Sequence, residues 1–468
     1  MTTEQLHIVR WDKHGRGIAD SSKNGNTSHI AVPGSIVGET VVTSPPIKTQ
    51  SGKIASITDI PLPSPFRVSP QCPHFMICGG CAWQHLEYEQ QLRVKSEWIK
   101  DLFLPLCHDV SLIHPIIGAD EPWQYRNKME FSFAQDKEGH RYLGLYKYRS
   151  RVIDVLACPI SNPWMVETLS TVRQWWEKSQ LKAYFPRNDS GTLQTVSFRE
   201  GVTTGDRMVI LTLSGNPAYA PKKHHLDQFV EDVKQVATPP QGNLSIVARI
   251  KQTAKNRPTH FYEMILFGPD YFRERFSVEI LPFVKKELDF QISPQAFFQP
   301  NTKQAISIYS TALQMAELNS EDVVWDLYCG IGIFGMFSAL RAKSSVGIEL
   351  SRESAYDATT NSKRLGLSNF TIHTGDTAAI IASMKKEGTF TPPTTIIVDP
   401  PRVGLSEKAI NEIETLDAKK MIYVSCNPQS QKRDIILLFQ QGWKIIAIQP
   451  VDQFPQTYHL ENIIHLGK

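Results

Sequence analysis

A cysteine stands in the run Ser425-Cys426-Asn427-Pro428, directly after the apolar stretch Met421-Ile422-Tyr423-Val424. Asp399-Pro400-Pro401-Arg402 precedes it by one strand–helix–strand step. A thiol at the carboxyl edge of an α/β sheet suits covalent catalysis, because a thiolate is strongly nucleophilic and also leaves readily. Taken alone, such a cysteine reads as a small buried hydrophobe. The segments around it move the reading toward chemistry.

Val323-Val324-Trp325-Asp326-Leu327-Tyr328 reads as a buried strand, and Cys329-Gly330-Ile331-Gly332-Ile333-Phe334-Gly335 as the turn into a helix. Glycines let backbone approach a ligand, and the helix start offers unpaired N–H groups. Gly330, Gly332 and Gly335 match G-x-G-x-x-G, a weak signal by itself. A second strand, Ser345-Val346-Gly347-Ile348-Glu349, ends on an acid about 20 residues further on, where it can accept ribose hydroxyls. This pairing fits NAD and S-adenosylmethionine equally. Asp376, after Phe370-Thr371-Ile372-His373, is placed to hold an adenine amino group or simply to sit in a solvated turn. In Ile396-Ile397-Val398-Asp399-Pro400-Pro401-Arg402 the prolines stiffen a strand end and leave the Asp399 carboxylate facing the cleft.

A second constellation is Cys72-Pro73-His74-Phe75-Met76-Ile77-Cys78-Gly79-Gly80-Cys81, with C-x5-C-x2-C spacing, and Cys158, followed like Cys72 by proline. Four thiolates can hold an iron–sulfur cluster or structural zinc, and spacing does not separate the two. Cys107 and Cys329 remain for packing or for the glycine loop.

The elements that must position these groups follow from length and pattern. A chain of 468 residues, 41% hydrophobic and 21% charged, exceeds one ordinary core. Residues 1–59 read as short strands broken by His14-Gly15-Arg16-Gly17, Val32-Pro33-Gly34 and Thr49-Gln50-Ser51-Gly52, the pattern of a small β-barrel. Pro61-Leu62-Pro63-Ser64-Pro65 reads as a linker. Residues 60–290 are mixed α+β, and in 291–468 strands alternate with helices, implying a mostly parallel sheet. Net charge is +3, too mild to establish or exclude a nucleic-acid partner. The most apolar stretch, Val323 to Leu340, contains Asp326 and three glycines, against a membrane span. Met1-Thr2-Thr3-Glu4-Gln5 lacks the character of a signal segment, so a cytoplasmic protein is expected.

Asp326-Leu327-Tyr328-Cys329-Gly330, Asp399-Pro400-Pro401-Arg402, Ser425-Cys426-Asn427-Pro428 and His459-Leu460-Glu461 together resemble the RNA 5-methyluridine methyltransferases, a class I, S-adenosylmethionine-dependent family. The resemblance implies a Rossmann-like catalytic domain in which Gln299 (of Phe297-Phe298-Gln299-Pro300-Asn301), Tyr328, Glu349, Asp399 and, more loosely, Asp376 contact S-adenosylmethionine. It implies Cys426 as nucleophile and Glu461 as base, and a [4Fe-4S] cluster on Cys72, Cys78, Cys81 and Cys158. The N-terminal segment resembles a TRAM domain, an OB-like barrel. With the four cysteines, this is most similar to the enzymes of 23S ribosomal RNA; transfer RNA is the second substrate class. No obligate protein partner is evident.

The chemistry accounts for these residue types. Thiolate addition at uracil C6 makes C5 electron-rich enough to take a methyl group from a sulfonium. A base must then remove the C5 proton so that the thiol can leave. The thiol pKa is expected to be lowered by its surroundings, and a shielded Glu461 to be raised toward neutrality. Arg126, Lys128, Lys147, Arg149 and Arg151 near Tyr125, Tyr146 and Tyr148 form one candidate RNA surface, and Arg249, Lys251, Lys255 and Arg257 another. Two competing readings are an RNA 5-methylcytosine enzyme, for which a second suitably placed cysteine is missing, and a non-catalytic cluster-bearing RNA-binding protein.

Overall fold

The computed structural model describes residues 3–23, 26–50, 52–147, 151–252, 259–388 and 390–468. The N-terminal strands form one sheet from Glu4–Trp11 to Ile57–Leu62. Alternation along Glu4–Trp11 turns Leu6 and Ile8 inward, onto Ala19, Ile30, Val32 and Val41. A central seven-stranded sheet runs from Val152–Asp154 at one edge to His260–Phe267 at the other, with helices Pro163–Ser179 and Lys223–Ala237 packed together on it. The hairpin Phe272–Leu281 with Val284–Ile292 packs onto the C-terminal unit through Phe276 and Phe290.

The C-terminal unit holds the candidate chemistry. Its strands are β1 (Val323–Leu327), β2 (Ser344–Glu349), β3 (Phe370–Thr374), β4 (Thr395–Val398), β5 (Lys420–Ser425), β6 (Lys444–Val451) and β7 (Glu461–Gly467). They lie in the order β3-β2-β1-β4-β5-β7-β6. The first five are parallel, while β7 runs antiparallel to both β5 and β6. Parallel strands are buried on both faces, which is why β1 and β4 read as near-continuous apolar runs.

Side-chain alternation divides the core between the two faces. Val324, Ile397, Ile422 and Ile463 meet helix α1 (Thr302–Ala316), helix α2 (Ile333–Ala339) and the hairpin. Trp325, Ile396, Met421 and Ile464 meet α4 (Thr377–Glu387), α5 (Glu407–Glu414) and α6 (Pro428–Gln440); α3 (Arg352–Arg364) lies between β2 and β3 in the chain. Helix α1 forms where it does because Asn301 caps it, accepting from the Gln304 N–H. Ala305, Ile308, Tyr309, Ala312, Leu313 and Ala316 then supply a buried stripe at helical spacing.

The helix Tyr88–Cys107 ties the preceding chain to the segment leading into β7. Lys95 Nζ lies 2.6 Å from Asp452 Oδ1, with both side chains fully buried. Tyr88 Oη donates to Asp452 Oδ2 at 2.9 Å, and Lys95 also donates to the Phe454 carbonyl at 3.3 Å. Burial pulls the Lys95 pKa down and Asp452 opposes that shift. Removing one partner strands the other charge in the interior. Lys95→Met is therefore expected to lower the unfolding free energy by about 3–5 kcal/mol, with Lys95→Met/Asp452→Asn recovering part of the loss, as read by urea denaturation.

Candidate active site

Strand order gathers the singled-out residues at one edge. Tyr328, Glu349, Asp399 and Cys426 stand at or just beyond the carboxyl ends of β1, β2, β4 and β5. Because β7 is antiparallel, its first residue lies at this same edge. Ser425 pairs with Asn462, so the next step of the register sets Cys426 opposite Glu461. Such an edge is where open α/β sheets place their ligands.

The glycine turn is built by left-handed backbone at Tyr328, Gly330 and Gly332, with φ of 64°, 55° and 80°. A Cβ added at Gly330 would meet nothing within 4 Å, so this glycine borders open space, whereas at Gly335 it would sit 2.4 Å from the Phe370 ring. The third glycine of the pattern is therefore a packing glycine. Glu349 is fixed by two backbone donors, Gly330 N–H at 2.8 Å and Ser351 N–H at 2.7 Å, which leaves lone pairs for further donors. Asp326 accepts from Gly335 N–H at 2.8 Å through Oδ2, while its buried Oδ1 has no partner among the described residues. Burial pushes its pKa far above the ordinary carboxylate range. Asp376 caps α4, accepting from Ala379 N–H at 3.0 Å. Gln299 Oε1 accepts from Gln453 Nε2 at 3.3 Å, and the Gln299 carbonyl accepts from Asn127 Nδ2 at 2.8 Å. An edge with open space over a glycine and a ribose-competent acid fits an adenosine-type cofactor.

On the other side of the edge, Asp399 is half-buried and Glu461 buried, and the charge of Asp399 repels that of Glu461. Burial lifts Asp399 to about 7 and raises Glu461 well above its usual value, with Asp399 adding to the rise. Glu461 Oε2 is buried with no hydrogen-bond partner among the described residues. The Cys426 thiol is pushed up to about 12, chiefly by burial and then by Glu461 and Asp399. That reverses the expectation of a lowered thiol pKa: two carboxylates face the sulfur. Opposing them is Arg402, whose positive charge pulls the thiol pKa back down and is attracted to Glu461. Asn427 Nδ2 and Ser430 Oγ hold the Arg402 carbonyl at 2.8 and 3.0 Å, and the Arg402 Nη2 lies 3.4 Å from the His459 ring. Sequence reading gave Arg402 no separate task, although its place three residues after Asp399 was the signal. Asn127 and Gln453, which steady Gln299, carry no sequence signal.

Cys72, Cys78, Cys81 and Cys158 line one cavity of about 280 Å³ with Arg126, Lys128 and Pro300. Their sulfurs are not drawn into a tight ligand set. Among the described residues the group of His, Cys, Asp or Glu ligand atoms lying within 4.8 Å of one another is Asp136, Glu138 and His140. Zinc–sulfur bonds of about 2.3 Å would hold four thiolates closer than that. Burial raises Cys72, Cys78 and Cys81, the last to about 12.

The candidate RNA surfaces are also altered. Tyr125 is buried, its hydroxyl donating to the Pro455 carbonyl at 3.1 Å, and cannot stack on a base; Tyr146, Lys147 and Arg151 are exposed. Arg249 is paired with Glu263 at 2.8 Å. Tyr148, Arg149, Lys255 and Arg257 lie outside the described residues, as does Ser51 of the N-terminal turn. No helix among the described residues is long and apolar enough to cross a membrane.

Fold and edge together define a class I-like, S-adenosylmethionine-dependent α/β methyltransferase. Residues 261–468 match the family model described as tRNA (Uracil-5-)-methyltransferase. An uncharacterized RNA methyltransferase of Protochlamydia amoebophila is 44% identical over 93% of this chain and 99% of its own. One from Halalkalibacterium halodurans is 33% identical over 99% and 96%. The solved Pyrococcus abyssi tRNA (uracil-54, C5)-methyltransferase, in complex with S-adenosyl-L-homocysteine, shares the fold at a TM-score of 0.74 and 22% identity, over 99% of each chain. The chain belongs to the S-adenosylmethionine-dependent RNA (uracil-5-)-methyltransferase family.

Two expectations are corrected by the same findings. The affiliation with the TRAM-containing, iron–sulfur enzymes of 23S ribosomal RNA gives way, since the matching family model and the chain-length structural likeness are both of transfer-RNA enzymes. The [4Fe-4S] cluster expected on Cys72, Cys78, Cys81 and Cys158 is likewise withdrawn: among the described residues these sulfurs are not in a group of ligand atoms within 4.8 Å of one another, and the solved relative is described with S-adenosyl-L-homocysteine.

With its thiol held near 12, Cys426 should be alkylated slowly by iodoacetamide at pH 7. The rate should rise about tenfold per pH unit toward pH 9 as thiolate forms. Asp399→Asn removes a repelling charge and should speed the reaction, while Arg402→Met should slow it; peptide mapping of Cys426 reads both.

Proposed function

We propose that this enzyme methylates uridine C5 in transfer RNA, in the cytoplasm, through a covalent Cys426–C6 adduct. The observation that carries the reading is the meeting of Cys426, Glu461, Asp399 and Arg402 at one sheet edge beside the glycine turn. Transfer RNA is favoured over ribosomal RNA by the description of the family model covering residues 261–468 and of the Pyrococcus abyssi relative.

In this reading Gln299, Tyr328, Glu349, Asp376 and Asp399 hold S-adenosylmethionine. When bound, that cofactor supplies a methyl group on a positively charged sulfonium. Cys426 Sγ gives up its proton to the Asp399 carboxylate, which returns it to the departing thiolate at the end, and bonds to uracil C6. The displaced electron pair moves onto the C5–C4–O4 enolate, and C5 takes the methyl group. Arg402 offsets negative charge, first on the sulfur and then on the ring. Glu461, shielded from water and raised well above its usual value, removes the C5 proton; the C5=C6 bond re-forms and the thiolate departs.

The domain assignment belongs to the same proposal. Residues 1–59 act as an OB-like barrel that contacts RNA, 60–290 as a central module, and 291–468 as the catalytic domain. The exposed Tyr146, Lys147 and Arg151 support an RNA-facing central module.

Cys426→Ala should reduce methyl transfer from labelled S-adenosylmethionine by at least about four orders of magnitude, while S-adenosylhomocysteine binding stays within about threefold. Full turnover in that variant would sink the covalent mechanism. Glu461→Gln should instead accumulate a protein–RNA adduct that survives denaturing electrophoresis. Incubation with separated transfer and ribosomal RNA, followed by nucleoside analysis, tests the substrate: label in 5-methyluridine of ribosomal RNA alone would overturn the transfer-RNA reading.

A further inference from the structure

Arg199 is a cation with no carboxylate against it. It lies on the central-sheet strand Leu193–Glu200 and is only 1% exposed. Its Nη1 donates to the carbonyls of Ser293 and Pro294, each at 2.9 Å, and its Nη2 to that of Ala296 at 2.9 Å. The guanidinium also sits 4.8 Å from the centre of the Phe272 ring. Asp357 and Glu263 attract it through space only, and burial lowers its pKa to about 9, so it is still charged at neutral pH.

Burying a charge costs several kcal/mol that an apolar side chain of equal volume would avoid. What the guanidinium supplies instead is direction, since its planar fork draws three carbonyls of one loop onto a single point. That loop leads straight into Phe297-Phe298-Gln299-Pro300. The same stretch is pinned elsewhere. Asp357 Oδ2 accepts from Ser293 N–H at 2.8 Å. Asn127, immediately before the central-sheet strand Lys128–Gln135, donates through Nδ2 to the Gln299 carbonyl at 2.8 Å and to Thr302 Oγ1 at 2.9 Å, and through its backbone N–H to the Pro300 carbonyl at 3.0 Å. Every anchor grips backbone or the start of α1, leaving the Gln299 side chain to Gln453 and the site.

We propose that Arg199 is a positioning residue for the cofactor: its clamp on the carbonyls of Ser293, Pro294 and Ala296 fixes the backbone that presents Gln299, so the central sheet sets cofactor affinity. This rests on the reading of Gln299 as a cofactor contact. Lysine keeps the charge but cannot span three carbonyls, which separates direction from charge.

The test uses the full-length protein and variants Arg199→Lys, Asn127→Ala and Gln299→Ala. Affinity for S-adenosylhomocysteine is measured by calorimetry, affinity for a transfer-RNA transcript by filter binding, and folding by thermal melting. Losing one charge-assisted bond of a fork costs on the order of tenfold. Arg199→Lys is accordingly expected to weaken S-adenosylhomocysteine about tenfold or more, raise the KM for S-adenosylmethionine in parallel, and leave RNA affinity and saturated kcat within about threefold. Unchanged S-adenosylhomocysteine affinity in folded Arg199→Lys overturns the proposal, as does an equal loss of cofactor and RNA affinity with a lowered melting point. Should Arg199→Lys not fold, Asn127→Ala carries the test with the same two outcomes. If Gln299→Ala leaves cofactor affinity intact while Arg199→Lys weakens it, the clamp stands and the Gln299 assignment falls; the reverse pattern removes the clamp alone.

Discussion

The antiparallel return of β7 beside β5 is the constraint on which the site depends. Parallel strands bring their carboxyl ends to one edge, and that accounts for Tyr328, Glu349, Asp399 and Cys426. A further parallel strand would have carried Glu461 to the opposite edge, far from the thiol. Reversal places the first residue of β7 where the others end, and the Ser425–Asn462 pairing fixes it to within one residue. A slip of one residue would turn the Glu461 side chain to the other face of the sheet.

Burial then does the chemical tuning. Asp399 and Glu461 share one edge, each raised by desolvation, and neither has a cation fully paired with it. Their field and the loss of water hold Cys426 as a thiol, while Arg402 pulls in the other direction.

Rigidity comes from outside the catalytic sheet. The buried Lys95–Asp452 pair fixes the start of the segment that leads into Glu461. Arg199 and Asn127 fix the loop that leads into Gln299. Lys95, Asn127 and Arg199 all lie before residue 200, so the flanking units act on the site through the two chain segments that border it. The cysteine cavity adjoins the second of these at Pro300.

Much of the catalytic unit was legible in the chain. The apolar runs of β1, β4 and β5, each ending on a polar residue beside glycine or proline, declare a parallel sheet with chemistry at its edge. The motifs around Asp399, Cys426 and Glu461 name the family, because local strand–turn–helix segments carry their own signals in residue type and spacing. Three things were not legible. The direction of the Cys426 shift was missed, since it depends on which charges fold against the sulfur. The C-x5-C-x2-C run suggested a cluster, but sulfur-to-sulfur distance is set by how the loop closes. Arg199, Asn127, Lys95 and Asp452 look like ordinary surface residues in sequence. The sequence by itself determined the catalytic sheet and its reactive types; only the tertiary structure decided burial, register and the pairing of distant charges, because these depend on contacts between segments far apart in the chain.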